Sequence, residues 1–179
     1  MIFCGSYRPG DVEFLLKPIQ VEPMQDVLEK ERLIQSGVRH YSEMLSPESL
    51  PSSRYLALFQ AAYSANRERM ARDCLALAVQ IVQRRSGEIT LVSLARAGTP
   101  VGVILKHLLD RVLGRAASHY SVSIIRDRGI DETALAHIME RGHAPESLVF
   151  VDGWTGKGVI SRELEKAVAG YNLRHGVSV

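Results

Sequence analysis

The chain has 179 residues, 46% hydrophobic and 23% charged, with a net charge of +2. One globular domain with an appended segment fits that length, and the composition excludes a disordered tail or a collagen-like chain. So small a charge imbalance calls for no nucleic acid, although it allows a local basic pocket for a phosphorylated ligand.

Two cysteines, Cys4 and Cys74, are too few for a disulfide framework. The first residues, Met1 to Arg8, lack a charged leader followed by an apolar run, and no stretch has the uncharged length of a membrane span. The expectation is a soluble cytoplasmic protein with no membrane partner.

Residues 1–54 hold five of the seven prolines, so long helices are not expected there. A short helix is expected from about Met24 to Glu31 or beyond. From 55 to 85 the pattern changes. Leu56, Phe59, Tyr63, Met70, Cys74, Leu77 and Ile81 recur at helical steps, which predicts one amphipathic helix with Cys74 on its apolar stripe. The expected division is an irregular hood over 1–54 and an α/β core over 55–179.

The core alternates. Glu88–Leu94 reads as a strand. Pro100–Leu113 reads as a helix, with Pro100 in its first turn and Gly114 past its end. Tyr120–Ile125 reads as a strand and Asp131–Arg141 as a helix capped by Asp131. Leu148–Val151 is a buried strand and Val159–Ala169 a last helix. This order predicts an α/β fold with a mostly parallel sheet, whose ligands sit beyond the carboxyl ends of the strands. Only Tyr171–Val179 follow the last helix, so strand 148–152 is expected at an unpaired edge.

Three loops follow the strands. Asp152-Gly153-Trp154-Thr155-Gly156-Lys157-Gly158 leaves a strand through an acid and enters a helix through glycines. Free N–H groups at a helix start, with Thr155 and Lys157, suit a phosphate. Trp154 either stacks on a ligand or packs beneath the loop. The Walker spacing fails, because Val151 and Gly158 stand where glycine and Ser or Thr are needed. Ala95-Arg96-Ala97-Gly98-Thr99-Pro100 places a guanidinium fork before a helix. Arg126-Asp127-Arg128-Gly129 sets two arginines on a turn that can close over an anion. His137, Glu140 and His143 lack the step of four used by helical zinc pairs, so no metal site is assigned to them.

In this order the loops resemble the type I phosphoribosyltransferases over about residues 86–170. That resemblance implies a small phosphorylated ligand, phosphoribosyl pyrophosphate (PRPP) bound with Mg²⁺, and transfer of phosphoribosyl with release of pyrophosphate. Arg96 with the N–H groups of Ala97 and Gly98 would hold pyrophosphate. Asp152 would hold the ribose, and Thr155, Gly156, Lys157 and Gly158 the 5-phosphate. Arg126 and Arg128 would close the lid. The chain departs from the motif at Gly153, where a second acid usually stands, and this keeps a non-catalytic sensor of phosphoribosyl compounds in view.

A longer resemblance, nearly end to end, is to the family of StiP-like cysteine proteases found beside tellurium-resistance and stress operons. Phe3-Cys4-Gly5-Ser6-Tyr7, Gly37 to Leu45, Ser93 to Pro100, Ile125 to Asp131 and Val151 to Gly158 carry it. It implies a thiol nucleophile with a histidine to activate it, for which Cys4 and His40 are the available pair. A homodimer or a product of the same operon is the expected partner. The transferase is the first expectation for function and the cysteine protease the alternative.

Overall fold

The computed structural model describes residues 3–179. The chain divides into two compact units, one of residues 1–16 with 69–179 and one of residues 17–68.

The first unit is built on a four-stranded parallel sheet in the order β1–β3–β2–β6. Its strands are β1 (Glu13–Phe14), β2 (Ile89–Leu94), β3 (Ala117–Val122) and β6 (Leu148–Val151). β4 (Ile124–Ile125) and β5 (Gly129–Ile130) form a separate small antiparallel ribbon. All six residues of β2 are buried, as expected of a parallel strand covered on both faces. Its alternate side chains serve two cores. Ile89 and Leu91 meet Leu105 and Leu109 of α3 (Gly98–Arg111), together with Ala78 and Ile81 of α2 (Ser53–Arg84). Val92 and Leu94 meet Leu135 and Ile138 of α4 (Glu132–Glu140) and Tyr171 of α5 (Val159–His175). Leu105 and Leu109 are fully buried, so truncating either to Ala is expected to cost about 2–5 kcal/mol.

Local signals set most boundaries. Asp131 caps α4 by accepting from the Ala134 N–H at 3.1 Å. Gly114 and Gly176, both left-handed, follow α3 and α5. Three expectations are corrected. The strand expected over 120–125 begins at Ala117 and stops at Val122, because Ile124 and Ile125 leave the sheet to pair with β5. The last helix runs on to His175, six residues beyond Ala169. Of the apolar stripe expected along α2 only Cys74 and Ile81 are buried, while Leu77 is exposed and Leu56, Phe59, Tyr63 and Met70 are all at least half exposed.

The unit of residues 17–68 contains α1 (Val27–Gln35), capped by Asp26 accepting from the N–H groups of Leu28 and Glu29, and a single 3₁₀ turn at Tyr41–Glu43. It also holds the first half of α2. Among the described residues no helix is long and apolar enough to cross a membrane.

Candidate active site

The loops at the carboxyl ends of β2 and β6 touch through their backbones. A Cβ built on Gly98 would lie 2.1 Å from the Val151 carbonyl oxygen, and one on Gly153 would lie 2.2 Å from the Ala97 carbonyl oxygen. Only glycine allows either approach. Gly153, which departs from the acidic motif, is therefore dictated by packing: an acid there would collide with the neighbouring loop. Asp152 turns back on its own loop, with Oδ1 accepting from the Trp154 N–H at 3.1 Å, while Oδ2 is buried without a hydrogen bond.

Asp152 and Thr155 border a cavity of about 520 Å³. Its other walls include Leu77, Ile81, Val101, Leu105, Phe150 and Leu164. That lining is largely apolar, and Arg96, Gly156 and Lys157 are not part of it. Trp154, Gly156 and Lys157 stand exposed in the loop, and Gly158 begins α5 in a left-handed conformation. Arg96 is exposed in the neighbouring loop. Arg126 and Arg128 are exposed on the β4–β5 turn, where Asp127 has a positive φ and its N–H donates to Glu163.

A different set of polar groups gathers at the opposite edge of the sheet, where β1 lies. Cys4 opens a loop closed at its base by the Phe14 N–H donating to the Phe3 carbonyl at 2.8 Å. The Tyr7 N–H donates to the Cys4 carbonyl at 3.1 Å, and the Phe14 ring lies against those of Phe3 and Tyr7. Asp11 anchors the loop's far end. One carboxylate oxygen accepts from the Arg8 N–H at 3.2 Å and the other meets His107 Nε2 at 2.7 Å. The His107 hydrogen bond holds the Asp11 carboxyl below its ordinary value. The Asp11 carbonyl accepts from His119 Nδ1 at 2.8 Å, and His119 Nε2 meets Ser93 Oγ at 2.7 Å. Since a carbonyl only accepts, His119 carries a proton on Nδ1, and the Ser93 hydroxyl lies within reach of both His119 Nε2 and the Gly98 carbonyl, the latter at 3.2 Å. Burial pushes His119 down to about 4, so the ring is neutral near pH 7. Ser93 and His119 do not form a catalytic pair, because both are buried and Gly102 packs directly over them.

His143 forms another cluster, before the start of β6. Its ring nitrogens reach Glu88 at 2.5 Å and the Tyr120 hydroxyl at 2.8 Å. It is therefore tied into the unit. Among the described residues no group of three or more His, Cys, Asp or Glu side chains could hold a metal ion. In the second unit His40 Nδ1 meets Ser42 Oγ at 2.8 Å, and the ring stacks at a tilt on Tyr41.

Residues 5–179 match the family model described as the tellurite-like stress resistance cysteine protease StiP. The chain belongs to the StiP family. A curated relative, the "Cysteine protease StiP" of Acinetobacter baylyi, is 51% identical over 167 residues. That match covers 93% of this chain and 43% of the relative, so the chain spans less than half the relative's length. No solved structure matches.

Membership of the StiP family overturns the first functional expectation. The family and the relative both carry the name of a cysteine protease, and neither name speaks of phosphoribosyl transfer, PRPP or magnesium. The alternative is the better supported reading.

The carboxyl-end loops drew attention in the sequence because glycine, arginine and lysine cluster there over a few residues. Asp11 and His107 escaped it. They are 96 positions apart, and each alone reads as a turn residue or as a histidine on an amphipathic helix. The Gly10-Asp11 turn close to Cys4 was the one local signal available.

Proposed function

We propose that this chain carries the nucleophile of a cysteine peptidase, and that the nucleophile is Cys4. Thiol peptidases attack with a thiolate, so the sulfur must be reachable and able to ionise. The contrast between the two thiols supports the choice. Cys74 is buried on α2, and burial pushes its thiol up, with the charge of Asp73 adding to the effect. Cys4 is partly exposed, in a turn at the edge of the sheet. The family and the relative supply the reaction class.

In such a reaction the Cys4 proton passes to a histidine, and the thiolate adds to the scissile carbonyl carbon. The tetrahedral intermediate collapses, the carbon–nitrogen bond breaks, and the imidazolium returns the proton to the leaving amine. Water, deprotonated by the same histidine, then hydrolyses the thioester and frees Cys4.

The test is hydrolysis of casein and of a library of fluorogenic peptides by the 179-residue chain. Cys4→Ser is expected to abolish turnover, and Cys74→Ser to retain it. Turnover by Cys4→Ser equal to that of the unaltered chain rejects the reading.

A further inference from the structure

We propose that the cavity bordered by Asp152 and Thr155 binds a short apolar peptide with free ends, extended and antiparallel along the outer edge of β6. The proposal does not depend on Cys4, whose loop lies by β1 at the opposite edge of the sheet. β6 is the last strand in the order, and among the described residues it pairs with β2 alone. On its other side the N–H and C=O groups face no strand, which makes that edge a template for an added one.

The cavity follows this edge. Phe150 packs into the core that β6 shares with α4 and α5, whereas Val149 and Val151 pack into the core shared with α2 and α3. All three border the cavity. A cavity lying over one face of the sheet would meet only alternate residues. Leu77 and Ile81 of α2 and Leu164 of α5 are its walls on the two sides. With a helix on each side, β6 sits in a groove that a single extended chain enters more readily than the edge of a second copy's sheet.

The two ends of the groove carry opposite charge. Arg84 and Arg85 stand where the strands begin, since the Arg85 carbonyl accepts from Arg115 just before β3 starts. Asp152 stands where β6 ends. Among the described residues, the buried side-chain polar atoms without a hydrogen bond are Arg85 Nε and Asp152 Oδ2, and both residues border this cavity. One lacks an acceptor and the other a donor. β6 has four residues, and a strand of that length spans roughly 13 Å at ~3.3 Å per residue, so a tetrapeptide reaches from one end to the other. The antiparallel direction brings its ammonium to Asp152 and its carboxylate to Arg84 and Arg85. The parallel direction would set like charges together. A fatty acid would answer the arginines and leave both Asp152 and the β6 backbone unmet. Glu165, exposed on α5, is the remaining charged group on the wall.

The test is calorimetric titration of the 179-residue chain with the tetrapeptide Val-Leu-Ala-Val in four forms: free, acetylated at the amino end, amidated at the carboxyl end, and blocked at both. The free form is expected to bind, and each block to weaken it roughly tenfold or more, the scale of one charged hydrogen bond. These comparisons use the parent chain, so no folding defect enters them. Asp152→Asn keeps an oxygen for the Trp154 N–H and should weaken the free-amine peptide while leaving the acetylated one unchanged. Arg85→Gln should do the same for the free carboxylate against the amide. In NMR spectra the amides of Val149 to Val151 should shift on binding. No heat with the free peptide at about 1 mM overturns the proposal. Equal affinity for free and doubly blocked peptides also overturns it, and points to an internal segment of a longer chain. Decanoate binding as tightly as the peptide, β6 amides that do not move, or a β6-edge dimer in sedimentation that excludes the peptide would each overturn it as well.

Discussion

His119 is a buried neutral histidine, and that makes a quantitative demand on acid stability. In the unfolded chain it takes a proton near 6.5, and in the folded chain only near 4. Between those values the unfolded state binds the extra proton, so stability rises with pH through the window and falls as the solution is acidified. Above 6.5 both states are neutral, and below 4 both are protonated, so the slope is confined to that interval. One pKa unit corresponds to about 1.4 kcal/mol, so a window of about 2.5 pH units makes this residue responsible for a loss of about 3 kcal/mol by pH 4. The assay is urea unfolding at pH 8, 6.5, 5.5 and 4.5, in parallel for the parent and His119→Gln. The variant should be less stable at pH 8, because Ser93 and the Asp11 carbonyl lose their partner. Its disadvantage should then shrink toward acid by about 1 kcal/mol for each pH unit below 6.5. Curves that stay parallel from pH 8 to 4.5 would refute the placement of a neutral His119 between Asp11 and Ser93.

Other substitutions test other parts of the fold. Gly153→Ala should lower stability by about 1–3 kcal/mol in thermal or urea unfolding, since its Cβ would stand 2.2 Å from the Ala97 oxygen and backbone must shift. Arg115→Ala should cost about 1–3 kcal/mol by the same measurement, because one guanidinium nitrogen donates to the carbonyls of Arg85, Ser86 and Gly87 between α2 and β2. Trp154→Ala should change stability by less than about 0.5 kcal/mol, as the side chain is 79% exposed. Cys74 should resist iodoacetamide under native conditions and react once the chain is unfolded in urea, with native labelling equal to that of Cys4 counting against its burial.

The elements that local chemistry controls were legible in the amino-acid order. Alternating strands and helices from residue 89 onward, the Asp131 cap and the glycine after α3 all follow from periodicity and from side chains acting on their own backbone. The mostly parallel sheet followed from the order of the elements, and the StiP resemblance from near-contiguous motifs. Contacts between distant segments were not legible. β1 is two residues long and exists because β3 offers it an edge, so no pattern in Glu13 and Phe14 announces it. Gly153 read as a lost acid, and only the approach of the Ala97 carbonyl explains it. The half-exposed stripe on α2 shows the converse, since helical spacing establishes that a face is apolar without establishing what covers it. The Asp11–His107 and Asp11–His119 contacts join residues 96 and 108 positions apart. Such pairings depend on which helix lies over which strand, and that is decided by packing of the whole sheet, not by any residue's neighbours in sequence.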